Sequence, residues 1–382
     1  MTDLPLTDIP AEAEAIRPKV RALIADAVAG RSLASRARSW QGFDADFSRA
    51  LGKAGLIGLT LPPAYGGQGM GAFARFVVVE ELLSAGAPVA AHWIADRQSA
   101  PLLLKFGTED QRQAHIPAIC RGERFFCIGM SEPGSGSDLA SVRTRAEPQA
   151  DGGWILNGAK LWTTNAQHAH YMIALVRTSG SVDDRHRGLS QLIIDLSSPG
   201  VSVRPIADIA GDEHFCEVHF EDVRLPADAL VGAEGDGWRQ VTAELALERS
   251  GPERIYSSLV LLDAWVERLR GVELGSAAIQ ALGRLVAELA VLRAMSISVT
   301  GLLEAGQSLV VEASLIKDLG TGFEQTVPQL LIELGDALPP ERRDEDYWQA
   351  LRYVTQMSPS FSLRGGTREI LRGIIAKGIG LK

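Results

Sequence analysis

Cysteine is scarce: Cys120, Cys127 and Cys216 are the only three in 382 residues. None forms a C-x-x-C pair, which excludes a disulfide scaffold and the usual zinc spacings and favours a reducing, cytoplasmic setting. Basic clusters are missing too. With a net charge of -9 and a pI near 5.4, the chain lacks the electrostatic footprint that DNA or RNA binding requires. No apolar run reaches the roughly 18 residues needed to span a bilayer. The opening "MTDLPLTDIPAEAEAIRPKV" is acidic and has no continuous apolar stretch, so neither a signal peptide nor a membrane span is expected. Repeats and low-complexity tracts are absent as well. The seven histidines (92, 115, 168, 170, 186, 214 and 219) form no H-E-x-x-H. His168-x-His170 has no acidic or thiol neighbour to complete a ligand set, so no metal is expected. Without a G-x-S-x-G elbow, serine hydrolysis has no support. "YGGQGMGAF" at 65–73 lacks the Lys-Ser/Thr of a phosphate loop and reads as a tight connection between helices.

What is present is ordinary globular material: 46% hydrophobic and 22% charged residues, over a length that suggests two or three packed domains. From about 11 to 125, apolar residues recur at three- and four-residue spacing, as in "ARFVVVEELLSAG", which predicts helices. From about 126 to 232, short apolar runs such as "YMIALVRT" and "CEVHFEDVRLP" are separated by glycine, proline and serine, which predicts a small β domain. Asn157-Gly158 between two of these runs predicts a hairpin turn. From about 233 the helical pattern returns.

Three stretches could carry chemistry. In "MSEPGSGSDLASVRT" (130–144), glycines let the backbone approach a planar or anionic ligand, and serines and exposed N–H groups supply donors. A plain serine-glycine turn explains the same residues. "KLWTTN" sets the flat indole of Trp162 beside Thr163 and Thr164, suited to covering a ring system. The third is "LALERSGPER" (245–254). Read as one continuous helix, it places Val241, Ile255 and Leu259 about 20° from Glu248, at the centre of an apolar stripe. Burial raises a carboxylate's pKa toward the range of a general base; a core-edge glutamate reaching water or Arg249 is the alternative. Glu244 shares that face, while Glu253, four residues after Arg249, reads as its surface ion-pair partner. Gly251-Pro252 is a candidate kink.

Five ordered stretches from about residue 50 to the end, "CIGMSEPGSGSDLASVRTRAEP", "GGWILNGAKLWTTNAQHAHYMIALVRT", "HRGLSQLIID", "FEDVRLPADALVGAEGDGW" and "LRGGTREILRGIIAKGIGL", together resemble the acyl-CoA dehydrogenase family. The resemblance implies a mainly α fold with a middle β domain: a helical N-terminal domain over 1–124, a small β-barrel or sheet domain over 125–232, and a C-terminal four-helix bundle over 233–382. It implies bound FAD and α,β-dehydrogenation of an acyl-CoA thioester. In that reaction a glutamate takes the α proton, the β hydrogen leaves as hydride to flavin N5, and electrons pass to an electron-transfer flavoprotein. By motif, Ile128, Met130, Ser131, Gly136 and Ser137 would line the flavin or CoA side. Trp162, Thr163 and Thr164 would contact the ring, and Thr367 and Glu369 would lie near the FAD. The N–H of Gly365 would face the thioester oxygen, and Ser137 and Arg249 the substrate.

Many members carry the base immediately before the "GT" of the C-terminal loop, a slot that is Gly365 here. Isovaleryl- and long-chain-type members place it in an earlier "L-E-R" element, and "LERS" makes Glu248 the corresponding base. The Arg-x-x-Phe-Gly element that reaches a neighbouring subunit's FAD is absent, and the later "GGxG" is replaced by "LGDALPPER". A homo- or hetero-oligomer is therefore expected, a dimer or tetramer that includes an α2β2 arrangement among its forms. The overall features are most similar to bacterial members that act on bulky or branched thioesters, such as steroid side chains. A flavin-poor partner subunit and an acyl-CoA oxidase stand as alternatives.

Overall fold

The structure, a computed structural model, describes residues 3–307 and 309–381, and for 244–248 the backbone path only. Eight helices come first: α1 (Ala11–Glu14), α2 (Arg17–Val28), α3 (Leu33–Arg36), α4 (Ala45–Lys53), α5 (Ala72–Ala85), α6 (Ala90–Ile94), α7 (Ala100–Phe106) and α8 (Glu109–Cys120). Seven strands follow: β1 (Phe126–Gly129), β2 (Arg145–Pro148), β3 (Trp154–Thr164), β4 (Tyr171–Arg177), β5 (Leu189–Asp195), β6 (Val201–Ile206) and β7 (Phe215–Leu225). Six more helices complete the chain: α9 (Gly237–Glu248), α10 (Leu259–Arg268), α11 (Ser276–Glu304), α12 (Val310–Glu333), α13 (Glu345–Met357) and α14 (Arg368–Gly378). The helices–strands–helices order follows the periodicity of the sequence.

Two compact units are distinguished by their internal contacts. One gathers residues 1–42, 70–89 and 246–382. Its pivot is α5, a helix that begins after Gly71, ends on Gly86 in the left-handed region (φ 70°) and is apolar nearly all round, as a core helix must be. Its one deeply buried charge, Glu80, accepts from Arg17 (2.9 Å), Arg293 (2.6 Å) and the Tyr256 hydroxyl (2.8 Å). Burial pushes the Glu80 carboxyl up, and Arg293 and these donors outweigh it and hold it ionised. Although α11 is long and apolar enough by composition to cross a membrane, its second half lies in this core, where Ile297 packs with Phe73, Phe76 and Val77.

The other unit, residues 43–69 and 90–245, holds the sheet. Its strand order is β1-β4-β2-β3-β7-β6, with β5 on the remaining edge of β4. Strand β4 lies parallel to β1 and antiparallel to β5. It is buried over Met172–Arg177, which explains why "YMIALVR" reads as a run rather than an alternation. Helix α8 opens on a capping box in which Thr108 and Gln111 satisfy each other's backbone N–H.

Two expectations fail. Asn157-Gly158 makes no hairpin, because β3 runs straight through it. The amide of Asn157 instead bonds Asp222 across the sheet (3.0 and 2.9 Å), and Gly158, at φ 139°, serves an irregularity in β3–β7 pairing. A Cβ there would come within 2.7 Å of the Thr144 Cα. The helix through "LALERSGPER" also ends at Glu248, followed by a short 3-10 turn over Pro252–Arg254. A projection at 100° per residue therefore stops being valid before Ile255 and Leu259. Glu253, expected at the surface, is 2% exposed and faces Arg75 at 3.5 Å; Arg249 turns elsewhere.

Candidate active site

In the sheet-bearing unit, the loop after β1 is sewn to β3 at its root. The Leu161 N–H donates to the Ser131 carbonyl (2.8 Å), and Glu132 and Ser135 exchange backbone hydrogen bonds (2.7 and 3.0 Å) that close a tight turn. Glu132 points inward. Its carboxylate accepts from the N–H groups of Arg143 (2.7 Å) and Thr144 (3.0 Å) and from Lys160 Nζ (2.7 Å). The wholly buried Lys160 also donates to the carbonyls of Met130 (3.2 Å) and Leu175 (2.5 Å). Burial pushes the Glu132 carboxyl up, but the Lys160 charge and these donors bring it below its ordinary value; the pair is ionised because every charge is satisfied.

Ile128, Met130 and Ser131 are half-buried along this root, whereas Gly134, Gly136 and Ser137 are exposed at its tip. A Cβ built on Gly134 or Gly136 meets nothing within 4 Å, so these glycines leave an open outer face rather than relieve a clash. At the rim, Arg185 Nη1 donates to Asp138 (3.0 Å), an exposed pair.

Trp162 is displayed by a bulge: β3 spends three steps between Lys160 and Thr163 where β7 spends two. Its backbone is left-handed (φ 58°), its indole is 55% exposed, and Phe215 braces it edge-on at 5.9 Å. Thr164 is half-buried. Thr163, expected to contact the ring, is 1% exposed, and its Oγ1 has no partner among the described residues. The extra bulge residue breaks the simple alternation by which neighbours would be assigned to faces.

In the other unit, Arg249 is buried, with Nε donating to the Gly365 carbonyl (2.9 Å) and Nη1 3.5 Å from the Ser314 hydroxyl. Gly365 and Gly366 are both left-handed (φ 66° and 102°). A Cβ on Gly365 would stand 3.0 Å from Arg254 Nη2 and 3.5 Å from Lys317 Cε. Lys317 is fully buried and donates to the Thr321 hydroxyl and the Phe361 carbonyl (2.9 Å each). Thr367 caps α14, its Oγ1 3.5 Å from the Ile370 N–H. Glu369 is exposed in the first turn, and its own N–H and the Thr367 hydroxyl hold its carboxyl low. Glu248, the last residue of α9, has a side chain outside the described residues, as does Glu244.

Sequence reasoning missed Glu132, Lys160 and Arg254. Lys160 carried a signal, because a lysine on the inward-facing phase of an apolar strand must have a buried partner.

Comparison with known proteins decides the family. Residues 10–123 match the profile of the acyl-CoA dehydrogenase N-terminal domain, and residues 127–223 that of its middle domain. The acyl-CoA dehydrogenase IpdE1 of Mycobacterium tuberculosis is 34% identical over 390 residues, spanning 96% of this chain and 97% of its own. The chain belongs to the acyl-CoA dehydrogenase family. It is an oxidoreductase that acts on acyl-CoA, with the family's helical N-terminal domain, curled middle sheet and helical C-terminal region. Among solved structures, the Tcur3481-Tcur3483 steroid ACAD superposes with a TM-score of 0.86 at 26% identity, with full coverage of both chains. The ChsE4-ChsE5 complex from Mycobacterium tuberculosis gives 0.84 at 28% identity, covering 98% of this chain and 99% of that one.

Members of the family are FAD flavoproteins, and the residues present here fit such a group. The open cradle over Gly134 and Gly136 suits a dinucleotide's approach. The exposed indole of Trp162 offers a flat apolar face that a ring system would cover.

Proposed function

We propose that this acyl-CoA dehydrogenase carries out FAD-dependent α,β-dehydrogenation of a bulky or branched acyl-CoA to its trans-2-enoyl product, with Glu248 as the base. The observation that carries the assignment is the Arg249–Gly365 hydrogen bond (2.9 Å), which ties the end of α9 to the loop where other members keep their carboxylate. That slot is closed to a carboxylate base here. A side chain at 365 would meet Arg254 and Lys317, and two cations would hold a carboxylate ionised and weakly basic. In this reading Glu248, the residue preceding Arg249 in the chain, is the base instead.

Removing the α proton leaves enolate charge on the thioester oxygen. In this reading the N–H of Gly365 stabilises it, supported by the Arg249 hydrogen bond that holds the carbonyl of the same residue. By the family's motifs, Ser137 and the root residues Ile128, Met130 and Ser131 would hold the cofactor side, Trp162 and Thr164 would contact the ring, and Thr367 and Glu369 would be further FAD contacts. The bound FAD supplies a two-electron acceptor for the β hydrogen, and an electron-transfer flavoprotein is the onward acceptor. The steroid substrate named for one relative supports the bulky-substrate reading.

Anaerobic titration tests this directly: the purified yellow protein should bleach with a suitable acyl-CoA and take up no oxygen. Hydrogen peroxide released at the rate of bleaching would favour an oxidase. A heteromer is the second reading, favoured because Arg268, the last residue of α10, and Arg270 just after it, in the stretch where a pyrophosphate-binding element is expected, are engaged within the chain by Asp344 (2.8 Å) and Glu267 (2.6 Å). Absence of flavin from the lone chain and its recovery on co-expression would support that reading.

A further inference from the structure

The turn from Phe361 to Gly366 leads into α14 and ends on two glycines with left-handed backbones (φ 66° and 102°). Glycine has the most conformational freedom to lose and offers no side chain by which neighbours could hold it. The turn is fastened at three other points, all within one compact unit. Lys317 Nζ donates to the Phe361 carbonyl (2.9 Å), and Arg249 Nε donates to the Gly365 carbonyl (2.9 Å). The third fastening is the side chain of Arg364. Its guanidinium lies over the rings of Trp40 and Phe361, with Cζ 4.7 Å from each centroid, a contact suited to a planar, delocalised cation. Its Nη2 donates to Glu324 (2.8 Å) and to the Ser257 hydroxyl (2.5 Å). Glu324, wholly buried on α12, also accepts from the Ser257 N–H (2.8 Å).

We infer that Arg364 is a positioning residue for the dehydrogenation: on the reading that the Gly365 N–H stabilises the enolate, the hold of Trp40, Phe361 and Glu324 on Arg364 sets where that N–H stands. A buried Arg–Glu pair adds little net stability over an apolar pair of the same volume, so stability alone is a weak reason for this one. What it supplies is a fixed origin for the next peptide. The unit joining 364 to 365 is planar. With Arg364 pinned at one end and the Gly365 carbonyl at the other, the plane keeps one freedom, rotation about the line between the two Cα atoms. That rotation is cheap at a glycine, and a hydrogen bond to the thioester oxygen can set it. Arg364 itself touches no reacting atom in this role; it acts through the peptide it carries.

Acetoacetyl-CoA is the probe, because its α carbon loses a proton to give an enolate that absorbs in the ultraviolet, and its short acyl group needs little room. On the purified flavoprotein the enolate should form at lower pH than in water. In Arg364→Met and in Trp40→Leu that downward shift should shrink by about 1 pH unit, a tenfold loss of enolate at a given pH, while affinity for free CoA is unchanged. A merely structural role would lower the melting temperature and leave the enolate pH where it was. Arg364→Lys keeps the charge and loses the planar stack, so it should behave like Arg364→Met. Full rescue by lysine would mean that charge and not position matters, and would overturn the proposal. An unmoved enolate pH in Trp40→Leu, which keeps the Arg364–Glu324 pair and decides the matter should the Arg364 variants not fold, would overturn it as well. If the native chain itself shows no shift from water, the failure lies with the Gly365 N–H as enolate donor, and the role of Arg364 falls with it.

Discussion

Gly134 and Gly136 in the loop after β1, and Gly365 and Gly366 before α14, are two glycine-rich turns, one in each of the two units. They use the same residue for different physical reasons. At 134 and 136 a side chain would enter open space, so glycine keeps an outer face bare. At 365 and 366 the backbone is left-handed, and guanidinium groups crowd the place a side chain would take, so glycine permits a conformation and a close approach. A glycine loop thus says that something comes near, and only its surroundings say whether that is a ligand or the protein itself.

The sharpest way to separate the two loops is Glu248→Gln. Flavin content should persist, because the cofactor-side loop is untouched, while the rate of flavin reduction falls by about 10²- to 10⁴-fold, the usual contribution of a general base. Stopped-flow reduction with an unchanged rate would remove Glu248 from the mechanism.

Glu132→Gln attacks the loop after β1. Leaving Lys160 buried without its partner should destabilise the protein by about 3–5 kcal/mol, read from denaturant midpoints. The same pair gives a pH signature. The folded Glu132 titrates below its ordinary value of 4.5, so its stabilisation is complete above that pH and is lost as pH falls through the lower folded value. The acid-side decline in melting temperature should therefore be shallower in Glu132→Gln than in the native chain.

Gly365→Ala should cost about 1–2 kcal/mol from the left-handed backbone alone, with a further loss of kcat as the loop shifts from Arg254. Gly134→Ala, by contrast, should change stability by no more than about 0.5 kcal/mol, so that its effect is seen in flavin affinity. If both substitutions lowered the melting temperature equally, the distinction between the two loops would fail.

Much of the architecture was legible because helix and strand periodicities differ and the chain changes from one to the other twice. The cofactor-side loop was legible as a local string. What was not legible depended on pairing across distance. Lys160 meets Glu132, 28 positions away in the chain, and no local pattern names the partner. Asn157-Gly158 has the composition of a turn but sits in β3 opposite a bulge in β7. The burial of Glu253 was missed because a helical projection was carried past the point where α9 stops.

The loop after β1 is held by two ion pairs of opposite character: Glu132–Lys160 sealed at its root, and Asp138–Arg185 open to water at its rim. Counterions screen the second and hardly reach the first. Ionic strength should therefore act on this loop as a selective solvent variable, loosening the lip while the hinge stays set. Cofactor release would then quicken with salt well before the fold itself yields.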